Sequence, residues 1–383
     1  MKIGIDIRLI GKKRTGDETV IFNLVKNLAK IDSVNEYFLF TDITDETVLR
    51  KIGTEIDISA KNNFKIISLG TANKFLWNFW TLPMYIRKNP IDIYHTQYIT
   101  PWFVPRSIKI ITTIHDISFN FFPQFIKFSD LFFLKILIPV SLKRADKIVA
   151  VSQFTKDEII KFYKINPEKI ECVYNSIGDE FLNPPTGGEI SEEQLKKVKN
   201  KYNLPEKFIL YIGTLQPRKN IPQLIEAFAR IKNKLGDFKL VICGNKKAHN
   251  FDKKIENSVN INNLGNDVIF LGFIDEKDKK AVYKLAHVFA FPSLYEGFGI
   301  PVLEAMSQNV PVLASDIPSL KEIAGEGALY FDVASVDDFS KKLYSISIDS
   351  DLREKLAKTG KARVSFFSWE NSAQKTLAIY KEL

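Results

Sequence analysis

The run that decides the fold begins at residue 208 and reads Phe208-Ile209-Leu210-Tyr211-Ile212-Gly213. Its β-branched and aromatic residues are typical of a buried strand, and the glycine ends it. A loop follows, and a helical pattern begins near Ile221. This strand–loop–helix unit resumes an alternation of strands and helices that the Pro- and Gly-rich segment 183–188 interrupts. The restart therefore predicts a boundary between two domains.

Short β-rich runs alternate with amphipathic helical patterns on both sides of this boundary, which predicts parallel α/β sheets. A chain of 383 residues also exceeds one ordinary core. We expect two doubly wound, Rossmann-like domains that face each other across a cleft, the first at 1–180 and the second at 200–365. The predicted strands are 2–7, 37–40, 64–67, 91–95, 109–114, 147–151, 170–174, 208–213, 239–243, 268–271, 288–291, 312–314 and 328–331.

The chain carries a net charge of +9 and has a pI near 9.1, which favours anionic partners. Nucleotide diphosphates, lipid pyrophosphates and an anionic membrane face all qualify. We expect no nucleic-acid partner, because the lysines are spread along the chain and no helix-turn-helix or zinc-finger pattern accompanies them. No apolar run is long enough for a signal peptide or a spanning helix, which predicts a cytoplasmic location.

A cationic loop follows the strand at 208–213 and reads Gly213-Thr214-Leu215-Gln216-Pro217-Arg218-Lys219-Asn220. It leads into a helix, whose free N–H groups and positive dipole end attract anions. Arg218 can chelate phosphate oxygens with its planar guanidinium, and Lys219 adds a mobile point charge. We interpret the loop, from Gly213 onward, as a diphosphate site whose two cations also act in catalysis on the leaving group. The alternative is a solvated turn.

A second motif sets two carboxylates on either side of a glycine-rich turn and reads Glu296-Gly297-Phe298-Gly299-Ile300-Pro301-Val302-Leu303-Glu304. Pro301 fits the start of a helix, so Glu304 lies about one turn inside it and Glu296 stays in the loop. A diphosphate repels carboxylates, so we expect Glu304 on the ribose hydroxyls and Glu296, as a catalytic residue, near the transferred sugar. The turn residues Gly297, Phe298 and Gly299 are expected to bind the donor. Alternatively, the glutamates only complement the helix dipole.

A histidine ends a hydrophobic strand in the run Ile114-His115-Asp116. There His115 can hydrogen-bond a sugar hydroxyl or steady charge near the reacting carbon, which is the catalytic interpretation. A purely structural role is the alternative, and His95, after another strand, is interpreted as structural or as a residue behind the site.

The loop after the first strand reads Lys13-Arg14-Thr15-Gly16-Asp17-Glu18 and is expected to lie between strand and helix. Gly16 would permit close backbone approach to the donor. Asp17 and Glu18 are candidates for contacts with ligand hydroxyls, and so is Asp116. As a phosphate cradle this loop is weak.

No metal site and no cofactor is expected. The acidic run Asp349-Ser350-Asp351 directly precedes a helix and is better explained as a helix cap than as a cation ligand set. Aromatic residues recur at near-helical spacing in 75–83, and a basic, aromatic segment covers 125–144. We interpret both mainly as packing surfaces; the alternative is contact with a membrane face or a lipid-linked acceptor.

Taken together, the sequence resembles the family 4 retaining glycosyltransferases of GT-B architecture almost from end to end. The motifs that carry the resemblance are the paired-glutamate run 296–304, Arg218-Lys219-Asn220, Thr113-Ile114-His115-Asp116, Ala145-Asp146-Lys147-Ile148-Val149-Ala150-Val151-Ser152, Val173-Tyr174-Asn175-Ser176 and Phe367-Ser368-Trp369-Glu370. One departure is Gly16-Asp17-Glu18-Thr19, where family members often have a second glycine or a small apolar residue. This departure makes Asp17 and Glu18 candidates for contacts with acceptor hydroxyls, and Asp116 is a further candidate.

The resemblance implies that the second domain binds a nucleotide sugar and the first binds the acceptor. It also implies that a last helix, within 368–383, crosses back to the first domain, and that transfer retains anomeric configuration without a metal. The expected reaction moves a hexose, mannose from GDP-mannose in the first instance, to a glycan or lipid-linked acceptor at the inner membrane face. UDP-hexose or UDP-N-acetylhexosamine donors remain open, as do an epimerase or phosphorylase of the same fold and a catalytically silent binding subunit.

Overall fold

The computed structural model describes residues 1–12, 16–71, 73–182, 190–247 and 250–383. These residues form two compact units. The first comprises Met1–Asn120, Phe128–Asn175 and Ser368–Leu383, and the second comprises Phe121–Lys127 and Ser176–Phe367. The main break therefore falls at 175/176, while the sequence expectation ended the first domain at 180. The interrupting segment 183–188 from which the boundary was inferred lies outside the described residues.

Each unit is built on one parallel sheet, of seven strands in the first unit and six in the second. All thirteen predicted strands are present, with ends that differ by no more than two residues from those expected. The strands are β1 (Lys2–Asp6), β2 (Glu36–Thr41), β3 (Phe64–Ser68), β4 (Ile93–Gln97), β5 (Lys109–Ile114), β6 (Lys147–Ala150), β7 (Ile170–Cys172), β8 (Phe208–Ile212), β9 (Lys239–Cys243), β10 (Val268–Gly272), β11 (Val288–Phe291), β12 (Val312–Ser315) and β13 (Ala328–Phe331).

The α-helices alternate with the strands, as expected for a doubly wound fold. Their bounds are α1 (Gly16–Ile31), α2 (Glu46–Glu55), α3 (Lys74–Leu76), α4 (Leu82–Lys88), α5 (Phe128–Arg144), α6 (Gln153–Tyr163), α7 (Asp179–Leu182), α8 (Glu192–Lys201), α9 (Ile221–Leu235), α10 (Lys254–Ile261), α11 (Glu276–Leu285), α12 (Ile300–Ser307), α13 (Pro318–Ala324), α14 (Val336–Ile348), α15 (Ser350–Val364) and α16 (Trp369–Lys381). A π-helical turn, Trp77–Thr81, joins α3 to α4.

The order of the strands creates one switch point in each sheet. The first sheet runs β3-β2-β1-β4-β5-β6-β7 and the second runs β10-β9-β8-β11-β12-β13. The chain therefore winds outward in opposite directions from the β1/β4 pair and from the β8/β11 pair. Loops diverge at such a pair and leave a crevice beyond the carboxyl ends of the strands, where ligands of open α/β sheets bind.

The last helix, α16, belongs to the first unit, although the residues just before it belong to the second. Its residues Ala373, Ile379 and Tyr380 are buried in the core of the first unit. Tyr380 also reaches His95 on β4, where its hydroxyl lies 2.7 Å from ring Nδ1, and Nε2 lies 2.8 Å from Thr113 Oγ1. Burial lowers the pKa of His95 to about 3, so the ring is neutral and pairs with both hydroxyls. These bonds agree with the interpretation of His95 as structural or as a residue behind the site.

Two local expectations have different outcomes. The loop expected over 13–18 is wrong at its end, because α1 begins at Gly16 and includes Asp17 and Glu18 in its first turn. Acidic residues are favoured there, since they face the positive end of the helix dipole; residues 13–15 lie outside the described part of the chain. The helix-cap interpretation of Asp349 is confirmed, because its Oδ1 accepts a hydrogen bond of 2.9 Å from the N–H of Leu352.

Within the described residues, no helix combines the length and the apolar composition that a membrane span requires.

Candidate functional site

The candidate site of the second unit lies at its switch point. Gly213 follows β8, and Glu296 lies in the loop after the neighbouring strand, β11. A side chain at residue 213 would bring its Cβ within 2.7 Å of the Tyr211 hydroxyl, so glycine lets the backbone turn close to that group. The Tyr211 hydroxyl in turn donates to the carbonyl of Thr214 at 2.8 Å and holds the start of the loop.

The cationic loop forms a 3₁₀ turn, Pro217–Lys219, and α9 begins at Ile221 as expected. Asn220 adopts a left-handed conformation with φ 54° between the two. This tight turn directs both cations toward the loop after β11: Arg218 donates to the carbonyl oxygen of Tyr295 and, at 3.4 Å, to Glu296 Oε2. Lys219 donates to Glu296 Oε1 and lies 5.3 Å from the centre of the Phe291 ring.

Glu296 is thus a buried carboxylate held between two cations. Burial alone would raise the pKa of Glu296, but the charges of Lys219 and Arg218 outweigh it and hold this pKa below its usual range. The sequence reasoning placed Glu296 apart from the diphosphate-binding cations. The structure instead brings the three side chains into direct contact.

Glu304 lies one turn inside α12, as the motif predicts. Its Oε1 accepts a hydrogen bond of 2.7 Å from Lys279, and its Oε2 accepts one of 2.8 Å from the hydroxyl of Tyr283. Burial opposes the charge on Lys279, but Glu304 and Glu276 raise the pKa of this lysine above its usual value. Lys279 and Tyr283 are partners that sequence reasoning missed. They lie on α11, and no motif links that helix to the glutamate run.

The turn between the two glutamates is compact. Gly297, Phe298 and Gly299 are all buried, and the Phe298 ring packs edge-on against Phe367 with centroids 5.6 Å apart. Gly299 has φ 103°, and a Cβ there would lie 2.7 Å from Leu320 Cδ2. Both the backbone conformation and the available space therefore require glycine at this position.

The candidate residues of the first unit gather beyond the neighbouring strands β4 and β5. His115 is buried directly after β5; its Nε2 donates to Gln97 Oε1 at 2.6 Å, and its Nδ1 lies 3.8 Å from Asp17 Oδ1. The ring of Tyr98 lies against it with centroids 5.4 Å apart. Gln97 and Tyr98 were not predicted; the position of Gln97 at the end of a strand beside that of His115 was the available signal.

The other predicted residues of this unit occupy distinct places. Gly16 is exposed, with nothing within 4 Å of the position of a Cβ. Glu18 is buried, and its Oε1 accepts a hydrogen bond of 3.0 Å from the N–H of Gly11, which ties the start of α1 to the loop after β1. Asp116 Oδ1 accepts from the N–H and the hydroxyl of Ser118 at 2.9 and 2.7 Å and orders the turn that follows. The structure brings Asp17 close to His115.

Within the described residues, no group of three or more His, Cys, Asp and Glu side chains is arranged to hold a metal ion.

Two family models match the chain, one on each side of the boundary. The model "Glycosyltransferase Family 4" matches residues 14–181, and "Glycosyl transferases group 1" matches residues 192–363. Among solved structures, a glycosyltransferase from Rickettsia africae aligns with a TM-score of 0.75 at 22% identity over 100% of this chain and 98% of that one. The Anabaena protein Alr3699/HepE, in complex with UDP-glucose, aligns with a TM-score of 0.75 at 16% identity over 100% of both chains. These likenesses show the GT-B fold.

Three curated relatives are similar in sequence. O-antigen chain mannosyltransferase B of Escherichia coli is 28% identical over 392 residues, which span 100% of both proteins. Serotype-specific mannosyltransferase WbdA of E. coli is 32% identical over 60% of this chain and 28% of its own length. O-antigen chain mannosyltransferase RfbU of Salmonella typhimurium is 32% identical over 57% of this chain and 55% of its own length. The matched stretch is thus a minor part of WbdA and about half of RfbU.

Proposed function

The chain belongs to the GT-B glycosyltransferases, whose Family 4 and group 1 models match its two halves, and we propose that it transfers mannose from GDP-mannose to a glycan or lipid-linked acceptor. The observation that carries the proposal is the contact of Arg218 and Lys219 with one buried carboxylate at the switch point of the second sheet. Mannose is chosen because three relatives with matching sequence are named mannosyltransferases.

In this proposal Arg218 and Lys219 donate hydrogen bonds to Glu296 and to the diphosphate at the same time. A lysine has three donors and an arginine has five, so each can keep a bond to Glu296 and still donate to phosphate oxygens. Paired in this way, Glu296 stays ionised beside the diphosphate, and its remaining acceptor capacity is available to hydroxyls of the donor sugar. The pairing therefore removes the repulsion that would otherwise keep a carboxylate away from the leaving group.

Glu304 fits the ribose in a similar way. A carboxylate offers about four lone-pair sites, and Lys279 and Tyr283 occupy one on each oxygen. The remaining sites can accept from the two ribose hydroxyls. Gly213 and the turn Gly297-Phe298-Gly299 supply close backbone around the donor.

The reaction that we propose retains configuration and needs no metal or cofactor. The bond from the anomeric carbon to the diphosphate oxygen breaks, and a bond from the same carbon to the acceptor oxygen forms on the same face. The acceptor proton passes to an oxygen of the departing diphosphate, whose charge Arg218 and Lys219 stabilise. His115 steadies the sugar, and Asp17 accepts from an acceptor hydroxyl.

A UDP-hexose donor is the second candidate, because a neighbour of the same fold is described in complex with UDP-glucose. For location, we propose the cytoplasm with peripheral contact to an anionic membrane face. The net charge of +9 supports that contact.

The test is a panel of GDP-mannose, UDP-glucose, UDP-galactose and UDP-N-acetylglucosamine given to the purified chain without acceptor. We expect slow release of GDP from GDP-mannose alone, and a ligand at about 100 times its Kd should add roughly 2.7 kcal/mol of stability. Release of UDP from one sugar would establish the second candidate. Stabilisation without release from any donor would indicate a silent binding subunit, and neither effect with any donor would overturn the proposal.

A further inference from the structure

A pocket of about 260 Å³ lies in the first unit, away from its sheet core. The α3–π-turn segment lines it with Phe75, Asn78 and Phe79, the loop after β4 with Ile99 and Trp102, and α5 with Asp130, Phe133, Leu134 and Leu137. Seven of these nine residues are apolar. The volume is just below the roughly 300–1,000 Å³ of ordinary ligand sites, which favours a slender ligand over a whole nucleotide sugar.

The backbone places this pocket beside the candidate site of the same unit. Ile99, on the pocket wall, directly follows Tyr98, whose ring packs against His115. Tyr98 has φ 58°, and the N–H of Ile99 donates to the carbonyl of Gln97 at 2.6 Å, which closes a tight three-residue turn. A bulky residue adopts this conformation only under constraint from its surroundings. The turn thus holds one pocket wall and one neighbour of His115 in fixed relation.

The opposite wall continues into an exposed apolar surface on α5. We call Phe128, Phe132, Ile136 and Val140 the exposed stripe; they recur every four residues and are 83%, 54%, 43% and 44% exposed. The Phe132 and Phe133 rings are 6.0 Å apart, and Phe133 packs on Phe75 at 5.0 Å, so the stripe is continuous with the pocket. Exposed apolar stripes on a helix are typical of surfaces that lie in a lipid interface.

From these observations we infer that the pocket binds the hydrocarbon chain of a lipid-linked saccharide acceptor, with the exposed stripe resting in the lipid interface. The inference rests on the proposed transfer function and selects one of its two acceptor classes. A chain that enters between Phe133 and Trp102 would lead its saccharide toward Ile99 and Tyr98, and so toward His115.

The charges favour lipid over a second copy of this chain. Lys135 and Lys143 are exposed on the same helix as the stripe. In a two-fold dimer through this surface the same cations would face one another, whereas lipid phosphates attract them. Asp130 in the pocket wall would repel an anionic headgroup or a fatty-acid carboxylate, so the part of the ligand inside the pocket is uncharged.

The binding test uses an uncharged dansyl-labelled dodecyl chain and energy transfer from tryptophan, which does not depend on turnover. We expect saturable transfer with the wild-type chain and at least tenfold weaker binding in Leu134→Trp, which fills the pocket. Phe133→Ser, at a partly exposed wall, provides a second variant with the same expectation. The control is Phe273→Ser, which changes an exposed apolar residue of the second unit; this variant should bind the probe as the wild type does.

The transfer test compares methyl and dodecyl mannosides as acceptors. Each buried methylene strengthens binding roughly fourfold, so KM should fall at least tenfold from methyl to dodecyl in the wild type, and the two values should become equal in Leu134→Trp. Equal probe binding in the wild type and both pocket variants would overturn the inference. It would also be overturned if the protein were a dimer and Phe132→Ser abolished that dimer but left probe binding intact, because the exposed stripe would then be a contact between two copies of the chain. If no sugar nucleotide is turned over, the transfer proposal fails, while the probe titration still decides whether the pocket takes a hydrocarbon chain.

Discussion

At the scale of single residues, the number of partners around each glutamate decides what a substitution does. Glu296 accepts from two cations, whereas Glu304 accepts from one lysine and one hydroxyl. A buried carboxylate that loses its partners is costly, and so is a buried cation that loses its carboxylate. The two glutamates are therefore expected to respond differently to the same change.

Lys219→Met should reduce kcat/KM by about ten- to a hundredfold, because a charged hydrogen bond to the leaving group contributes roughly 1.5–3 kcal/mol. Lys246→Met is the matched control, since Lys246 pairs with Glu256 on the surface of the same unit. Steady-state kinetics with the cognate donor measures both. Equal losses in the two variants would contradict a specific role for Lys219.

Glu296→Gln should strengthen binding of the nucleoside diphosphate product and slow turnover. The variant frees Lys219 and Arg218 from a negative partner, so the nucleoside diphosphate should bind more tightly, while transfer slows because the sugar loses its acceptor group. Isothermal titration with the diphosphate and initial rates report the two effects separately. Weaker diphosphate binding in this variant would mean that Glu296 serves only to position the cations.

Glu304→Gln should lower the free energy of unfolding by roughly 1–3 kcal/mol, because Lys279 keeps its charge and loses the ionic partner. The double variant Glu304→Gln with Lys279→Met should regain part of that loss, since the unpaired charge is gone. Urea denaturation followed by far-UV circular dichroism measures both. Purely additive losses would show that the pair contributes no coupling energy.

At the scale of elements, the strands were predictable and the partners of the site were only partly so. Each strand is a short β-rich run bounded by loop residues, and order along the chain placed Gly213, Glu296 and His115 at strand ends. Lys279 and Tyr283 could not be predicted as partners of Glu304, because α11 contacts α12 through tertiary packing that leaves no local signal in the sequence. The π-helical turn at Trp77–Thr81 likewise has no local sequence code.

The attachment of α16 should make the first unit sensitive to pH through His95. Above pH 6.5 the His95 ring is neutral in both the folded and the unfolded chain. As the pH falls from 6.5 toward 3, the ring is protonated in the unfolded chain but stays neutral in the folded chain, so the free energy of unfolding falls. We expect a loss of about 2 kcal/mol between neutral pH and pH 5 that is absent in His95→Gln. All four tryptophans lie in the first unit, so their fluorescence during urea unfolding reports this unit. If stability fell equally with pH in the wild type and in His95→Gln, His95 would not be the group responsible.

At the scale of the whole molecule, each unit is compact, and the chain passes from one unit to the other four times. Sequence periodicity gave the alternation of strands and helices, and hence two Rossmann-like domains. It could not assign Phe121–Lys127 to the second unit, where the Phe121 ring stacks on Tyr295 at 5.6 Å. An aromatic run of this composition is compatible with either core, and only the packed partner distinguishes them.

Removal of residues 368–383 should destabilise the first unit and spare the second. The deletion takes three buried residues from the first core, together with the ion pair of Lys147 with Glu382. Each large apolar side chain contributes about 1.5–3 kcal/mol, so we expect the tryptophan-monitored transition to shift by several kcal/mol or to disappear. Nucleotide-dependent stabilisation, measured by calorimetry, should persist in the truncated chain. Tyr380→Phe, which removes one hydroxyl, is the mild control, with a loss of about 1 kcal/mol.

The excursion of Phe121–Lys127 into the second unit limits how this enzyme can be recombined with its relatives. A chimera made with a single crossover near residue 175 would inherit the wrong heptapeptide beside Tyr295 and the wrong last helix beside β4. Functional hybrids would need four junctions, at 120/121, 127/128, 175/176 and 367/368. An exchange of the second unit therefore requires two separate gene segments, and an exchange of the first unit requires three.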